Sequence, residues 1–355
     1  MTSKLKNIKI LYLVKTMDVG GAERFTLSLA KYFASRTGGV TVASTGGIFV
    51  NELQKYGIKH IRLKNPPRIF NIIPLFFELL RIIRKDNYTI IHCQHRIFTF
   101  VLQFIRRENF IPVYTANNVF NDFLQRLIFP DFAVAASRSI KLNLYHTTYL
   151  HESRIKQINY GVEIPNNINP HNSNITIGFL GRLIKEKGIY NLLEAAKFLA
   201  AENADFRLII RGKGETEKII KYINLYNLNN FVTLAKASYD EEEIYKGIDI
   251  LILPTKLNEG LPISILEAAA RGILVVSTKA GGIEDFIEHG KTGVILESTE
   301  PIKLAAELKE IICSYSSYAD VLENARIKVI NDFSIDQMTA KYEKLYSMIL
   351  PAASS

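Results

Sequence analysis

Residues 258–282 read NEGLPISILEAAARGILVVSTKAGG: a loop, a helix, a buried strand and a second glycine loop in one run. Pro262 stands where a first helical turn would begin, which suits its fixed φ and missing N–H. Ile263, Leu266 and Ala270 recur at helical spacing, and Gly272 ends the helix. Residues 273–276 are a short apolar run, the mark of a strand covered on both faces. The N–H groups of Gly260, Leu261 and Ile263 are expected to point out of the helix start, where the dipole favours an anion. Glu259 precedes the helix and Glu267 lies within it, eight positions on. One carboxylate beside an anion site can hold hydroxyls, and two can hold the hydroxyls of two rings. Taken alone, the pair reads equally as two solvated surface glutamates.

With EGLP at its front, this E-x7-E pair resembles the signature of the family-four retaining glycosyltransferases of the GT-B fold. In that family the first Glu contacts the transferred sugar and the second the nucleotide ribose, roles that fall here to Glu259 and Glu267. The resemblance implies an α/β protein of two doubly wound Rossmann-like domains facing across a cleft. The first domain binds the acceptor and the second the nucleotide-sugar.

Composition agrees with that size. The chain has 355 residues, 48% hydrophobic and 22% charged, enough for two domains with ample core. Its net charge of +9 favours acidic partners such as nucleotide phosphates or anionic lipid. Two cysteines, Cys93 and Cys313, make neither a disulfide framework nor a metal cluster. The opening MTSKLKNIKILYLVK places lysines before an apolar run that is too short for a signal peptide and reads as a first strand. No uncharged apolar stretch reaches the roughly 20 residues needed to cross a bilayer. A reducing cytoplasm is the expected compartment, with the protein peripheral on the inner face of the membrane.

Taken in order, strands are expected at 8–14, 40–43, 59–63, 89–92, 112–115, 132–135 and 155–158, with helical patterns between them. Such alternation implies a parallel sheet whose ligands bind at the carboxyl ends of the strands. Residues 161–174, GVEIPNNINPHNSN, crowd Asn, Pro and Ser together as a linker would. A second set follows at 175–180, 206–210, 231–234, 250–253 and 273–277. The domains are therefore placed at 1–163 and 174–333. A last helix, at 334–350, is implied by the resemblance to pack back on the first domain.

Residues 181–188, GRLIKEKG, follow a strand directly, and two cations there suit a diphosphate. They match the family's GR…KG, which assigns Arg182 and Lys187 to neutralising the leaving nucleoside diphosphate. Arg211, Gly212 and Gly214 form a G-x-G loop that the resemblance sets beside the nucleotide. Gly20 and Gly21 match the family's first glycine loop, near the donor phosphate and acceptor. Read without the resemblance, both glycine loops are ordinary strand-to-helix turns.

Two departures stand in the first domain. Where the family carries T-x-H, with a His that touches the transferred sugar, this chain has Asn117. Asn can hydrogen-bond a sugar hydroxyl but cannot take a proton. The usual N-G after the last first-domain strand is here Tyr160-Gly161. His92 and His95 flank Cys93 without a third metal ligand; His92 is a candidate sugar or acceptor contact.

These motifs imply transfer from a UDP- or GDP-linked nucleotide-sugar to a sugar or lipid-linked acceptor, with no metal and no cofactor. The setting is polysaccharide, lipopolysaccharide or glycolipid synthesis. Rivals are an epimerase of the same fold and a non-catalytic sugar-nucleotide binder. A nicotinamide dehydrogenase lacks its G-x-G-x-x-G here, and no basic helix suggests nucleic acid. Residues 62–85, RLKNPPRIFNIIPLFFELLRIIRK, are more apolar than one buried stripe needs and are ringed by Arg68, Arg81, Arg84 and Lys85. Leu75, Leu79 and Ile82 are expected to face the core and the remainder an anionic membrane surface, with Arg106 and Arg107 extending the rim.

Overall fold

A computed structural model describes residues 5–18, 20–105, 109–169, 174–236, 238, 240–257 and 260–351. The chain divides into two compact units, Met1–Gly161 with Ile335–Ser355, and Val162–Ser334.

In the first unit seven parallel strands run β1 (Lys9–Leu13), β2 (Gly39–Ser44), β3 (Lys59–Arg62), β4 (Ile90–Cys93), β5 (Ile111–Ala116), β6 (Phe132–Ala135) and β7 (Ile155–Gln157). They lie in the order β3-β2-β1-β4-β5-β6-β7. The chain moves one way from β1 and the other way from β4, so the sheet's switch point lies between those two strands. All four residues of β4, IIHC, are buried, as a strand covered on both faces requires.

The helix Ile335–Ile349 belongs to this unit, and its Met338, Tyr342, Leu345 and Tyr346 are buried. Phe33 packs on Tyr346 and Phe25 on Tyr342, with ring centroids 5.0 and 5.4 Å apart. Each fully buried ring or aliphatic side chain of this kind contributes roughly 1.5–3 kcal/mol. The helix Ile72–Asp86 buries Leu75, Leu79 and Ile83. Ile82, expected in the core, is only half-buried, because the stripe advances by four residues at each turn.

In the second unit six parallel strands are β8 (Ile175–Leu180), β9 (Phe206–Arg211), β10 (Val232–Leu234), β11 (Ile250–Leu253), β12 (Leu274–Thr278) and β13 (Val294–Leu296). Their order is β10-β9-β8-β11-β12-β13, with the switch point between β8 and β11. Ile177, Phe179, Ile210, Ile252 and Leu308 are among the fully buried residues of its core. β13 was not expected; three residues between glycine and acidic turns carry too short an alternation to read.

The linker-like composition after Gly161 misleads in part. Val162 bridges to Ser334, and Asn169 donates its N–H to the Arg271 carbonyl at 3.0 Å and its amide to the Tyr245 carbonyl at 2.7 Å. Backbone hydrogen bonds at Val162 and Asn169 thus tie the two ends of this segment to the second unit.

Candidate active site

The loops that leave β8 and β11 flank the second sheet's switch point, and they carry the charged motifs. After β8, Lys185–Lys187 make one 3-10 turn and Gly188, at φ 79°, opens the helix Ile189–Ala201. Glycine is needed there twice over. The φ is left-handed, and a Cβ would run into the Pro254 carbonyl just beyond β11. The Lys256 N–H donates to the Glu186 carbonyl at 2.9 Å, so main chain joins the two loops.

The loop after β9 joins the same edge. Gly212 lies so close to the Gly181 carbonyl that any Cβ would collide with it. Leu183 donates its N–H to the Lys213 carbonyl and accepts from the Glu215 N–H, both at 2.9 Å, and pairs with Gly214 as a parallel bridge. Three loops therefore form one continuous rim, on which Arg182 is exposed and Lys187 half-exposed.

Glu267 sits on the helix Ile263–Ala270 and is 8% exposed. The Tyr245 hydroxyl donates to its Oε2 at 2.5 Å. Arg271 lies over the Tyr245 ring, 4.8 Å from its centroid, and donates to the Glu267 carbonyl at 3.0 Å. Its other nitrogen reaches Glu241 at 3.1 Å and Glu242 at 3.4 Å. Burial first, and then the Glu267 charge, push the Tyr245 phenol well above its usual range, so it stays a donor. A carboxylate accepts at about four lone-pair sites, of which the Tyr245 hydroxyl takes one.

The start of that helix differs from expectation by one residue. Pro262 is extended (φ −63°, ψ 127°) and caps the helix, whose first residue is Ile263. No described side chain caps it, which suits an anion at the first-turn N–H groups. Gly260 and Leu261 are buried just before it. Glu259, the expected sugar contact, lies with Asn258 outside the described residues.

Arg211 ends β9 and is half-buried. Its guanidinium donates to the carbonyls of Lys236 at 2.9 Å and Glu243 at 3.2 Å, tying β9 to its neighbours. Among the described residues, no group of three or more His, Cys, Asp and Glu side chains could hold a metal ion.

In the first unit Gly20 precedes the helix Gly21–Ala34 at the switch point, and the Glu23 carboxylate folds back against it. Thr16 donates to Glu23 at 3.0 Å, while burial raises the carboxyl above its ordinary value.

His92 has a different place from the one expected. Its ring has no exposed surface; Nδ1 meets the Tyr346 hydroxyl and Nε2 the Thr115 hydroxyl, each at 2.6 Å. Burial pushes it down to about 3, which keeps it neutral. With both nitrogens engaged it offers nothing to a sugar; it joins β4 and β5 to the C-terminal helix. His95 caps the helix Arg96–Leu102, accepting from the Ile97 N–H at 3.3 Å.

Asn117 follows β5 and is half-buried. It accepts from the Tyr160 hydroxyl at 2.7 Å and donates to Gln94 at 3.3 Å. Tyr245 and Tyr160 thus act on two candidate residues from far along the chain. The one local signal for Tyr245 is an aromatic ending an otherwise acidic turn.

Two family models match the chain: one described as Glycosyl transferases group 1 over residues 163–328, and one as Glycosyltransferase Family 4 over residues 19–164. The capsular polysaccharide biosynthesis glycosyltransferase CapM of Staphylococcus aureus is 29% identical over 181 residues, 50% of this chain and 47% of that protein. The match thus spans about half the length of that relative. A glycosyltransferase of Rickettsia africae has a TM-score of 0.81 at 24% identity, covering 98% of this chain and 100% of that one. Anabaena HepE in complex with UDP-glucose has a TM-score of 0.83 at 20% identity, covering 96% and 100%. These two structures share the fold.

Proposed function

We propose a reaction from one premise: the chain belongs to the family-four glycosyltransferases of the GT-B fold. It transfers a sugar from a nucleotide-sugar to an acceptor hydroxyl, with retention at the anomeric carbon, in cell-surface polysaccharide or glycolipid synthesis. The observation that carries this reading is the joined rim of the loops after β8, β9 and β11, with Arg182 and Lys187 on it. The name of CapM supports the polysaccharide setting, and the UDP-glucose bound by HepE supports a UDP-linked donor.

The mechanism is mainly electrostatic. As the sugar–phosphate bond breaks, charge collects on the departing diphosphate, where Arg182, Lys187 and the N–H groups before Ile265 stabilise it. Fixed groups of this kind need no reorganisation at the moment of reaction. Glu267, oriented by Tyr245, takes the ribose hydroxyls, and Glu259 the hydroxyls of the sugar. Asn117 cannot accept the acceptor's proton, which leaves the diphosphate as the base formed in the step. These cations supply the charge that a metal ion supplies elsewhere.

The test is product analysis with a panel of UDP- and GDP-sugars and a membrane lipid extract. Transfer that keeps the donor's anomeric configuration by NMR is expected. Inverted product, epimerised donor without transfer, or no turnover of any nucleotide-sugar would overturn the proposal.

A further inference from the structure

The first unit carries a surface that the proposed reaction leaves unused. The helix Ile72–Asp86 buries one stripe and turns another outward. On the outward face Phe70, in the turn Ile69–Asn71, is 95% exposed, and Ile73 and Phe77 are 71% and 62% exposed. Next along the helix, Arg81, Arg84 and Lys85 are exposed as well. Positions 70, 73, 77, 81 and 84 succeed one another by three or four, so they share one face. That face is apolar in its first turns and cationic in its last.

The exposure is held in place. Glu78 accepts from the Lys64 N–H at 2.8 Å, the Asn65 N–H at 3.0 Å and the Asn65 amide at 2.9 Å, clamping the segment that leads to Phe70 onto the helix. Asp86 takes Lys59 at 2.5 Å and the Tyr88 hydroxyl at 3.2 Å. Both acids of the helix are therefore turned to neighbours within the unit.

We infer that this face docks on an anionic phospholipid bilayer, with Phe70, Ile73 and Phe77 entering the interface and Arg81, Arg84 and Lys85 on the headgroup phosphates. Charge selects the occupant. A second copy of the chain would bring the same cations to the same contact, whereas an anionic headgroup layer neutralises them. Among the described residues no helix is long and apolar enough to cross a membrane. Arg106 and Arg107, named from the sequence as a basic rim, lie outside the described residues. The inference is independent of the proposed reaction, since vesicle binding needs neither donor nor turnover.

The chain has no tryptophan, so one introduced indole reports its own surroundings. Phe70→Trp should shift its emission to the blue on phosphatidylglycerol vesicles at low salt and stay unshifted on phosphatidylcholine. Ile302→Trp, at a position 68% exposed in the other unit, should shift on neither. In flotation, Arg81→Glu with Arg84→Glu should weaken binding to anionic vesicles by on the order of 25-fold or more, from about 1 kcal/mol per cation. No flotation of the unmodified protein with either vesicle would overturn the inference, as would equal flotation with both. So would a dimer that Phe70→Ser dissolves in sedimentation when no vesicle is bound.

Discussion

The Tyr245 hydroxyl donates to the Glu267 carboxylate at 2.5 Å, and both residues are buried in the second unit. They stand 22 positions apart, on separate helices. The phenol holds one carboxylate oxygen in place. Arg271, lying on the Tyr245 ring, supports the pair from the other side.

Tyr245→Phe keeps that ring and removes only the hydroxyl. A lost bond to a charged group costs about 1.5–3 kcal/mol of stability, and with Glu267 no longer held in place the KM for the nucleotide-sugar should rise. The kcat should change little, because ribose binding is alike in ground and transition states. Steady-state kinetics decide; an unchanged KM would mean that Tyr245 does not position Glu267 for the donor.

Lys187→Ala and Arg182→Ala should each lower transfer about a hundredfold, on the order of 3 kcal/mol of transition-state stabilisation. Glu259→Ala should abolish it. All three should keep an unaltered far-UV circular dichroism spectrum. Near wild-type turnover by Lys187→Ala would contradict the assignment of the rim.

On the role proposed for Arg182 and Lys187, transfer should persist in excess chelator. Activity lost to chelator and restored by magnesium or manganese would show that a metal shares that work.

Burial gives His92 a sign that denaturation can read. Its folded value, about 3, lies below the ordinary 6.5, so between those two values the unfolded chain binds the extra proton. Its contribution therefore falls as pH drops from about 6.5, by up to about 1.4 kcal/mol per pH unit. His92→Asn should be the less stable form at pH 7.5, through lost contacts with Tyr346 and Thr115. The gap between the two proteins should narrow as pH falls to 4.5. A constant gap across that range would mean that His92 does not resist protonation.

What the sequence discloses, and what it hides, follows from the range of each interaction. The βα alternation and the GRLIKEKG and RGKG loops are local patterns, so twelve strands and the loops that follow them are legible before any coordinates. The same reading sees Tyr342 and Tyr346 on a helical stripe but not that Tyr346 meets His92, 254 positions away. His92 looks like a ligand contact because it ends a strand near a switch point; only packing reveals both its nitrogens as taken. The bonds of Arg211 are hidden likewise, since the Lys236 and Glu243 carbonyls that it meets lie 25 and 32 positions away.

The central claim is that the rim formed after β8, β9 and β11 binds a nucleoside diphosphate. Isothermal titration of UDP and of GDP into the protein tests it without knowledge of the acceptor or of the sugar. At least one should bind with a saturating heat, and Lys187→Ala combined with Glu267→Ala, still folded, should bind it at least about a hundredfold more weakly. Binding of neither by the unmodified protein would contradict the account, and so would equal affinity in the double variant.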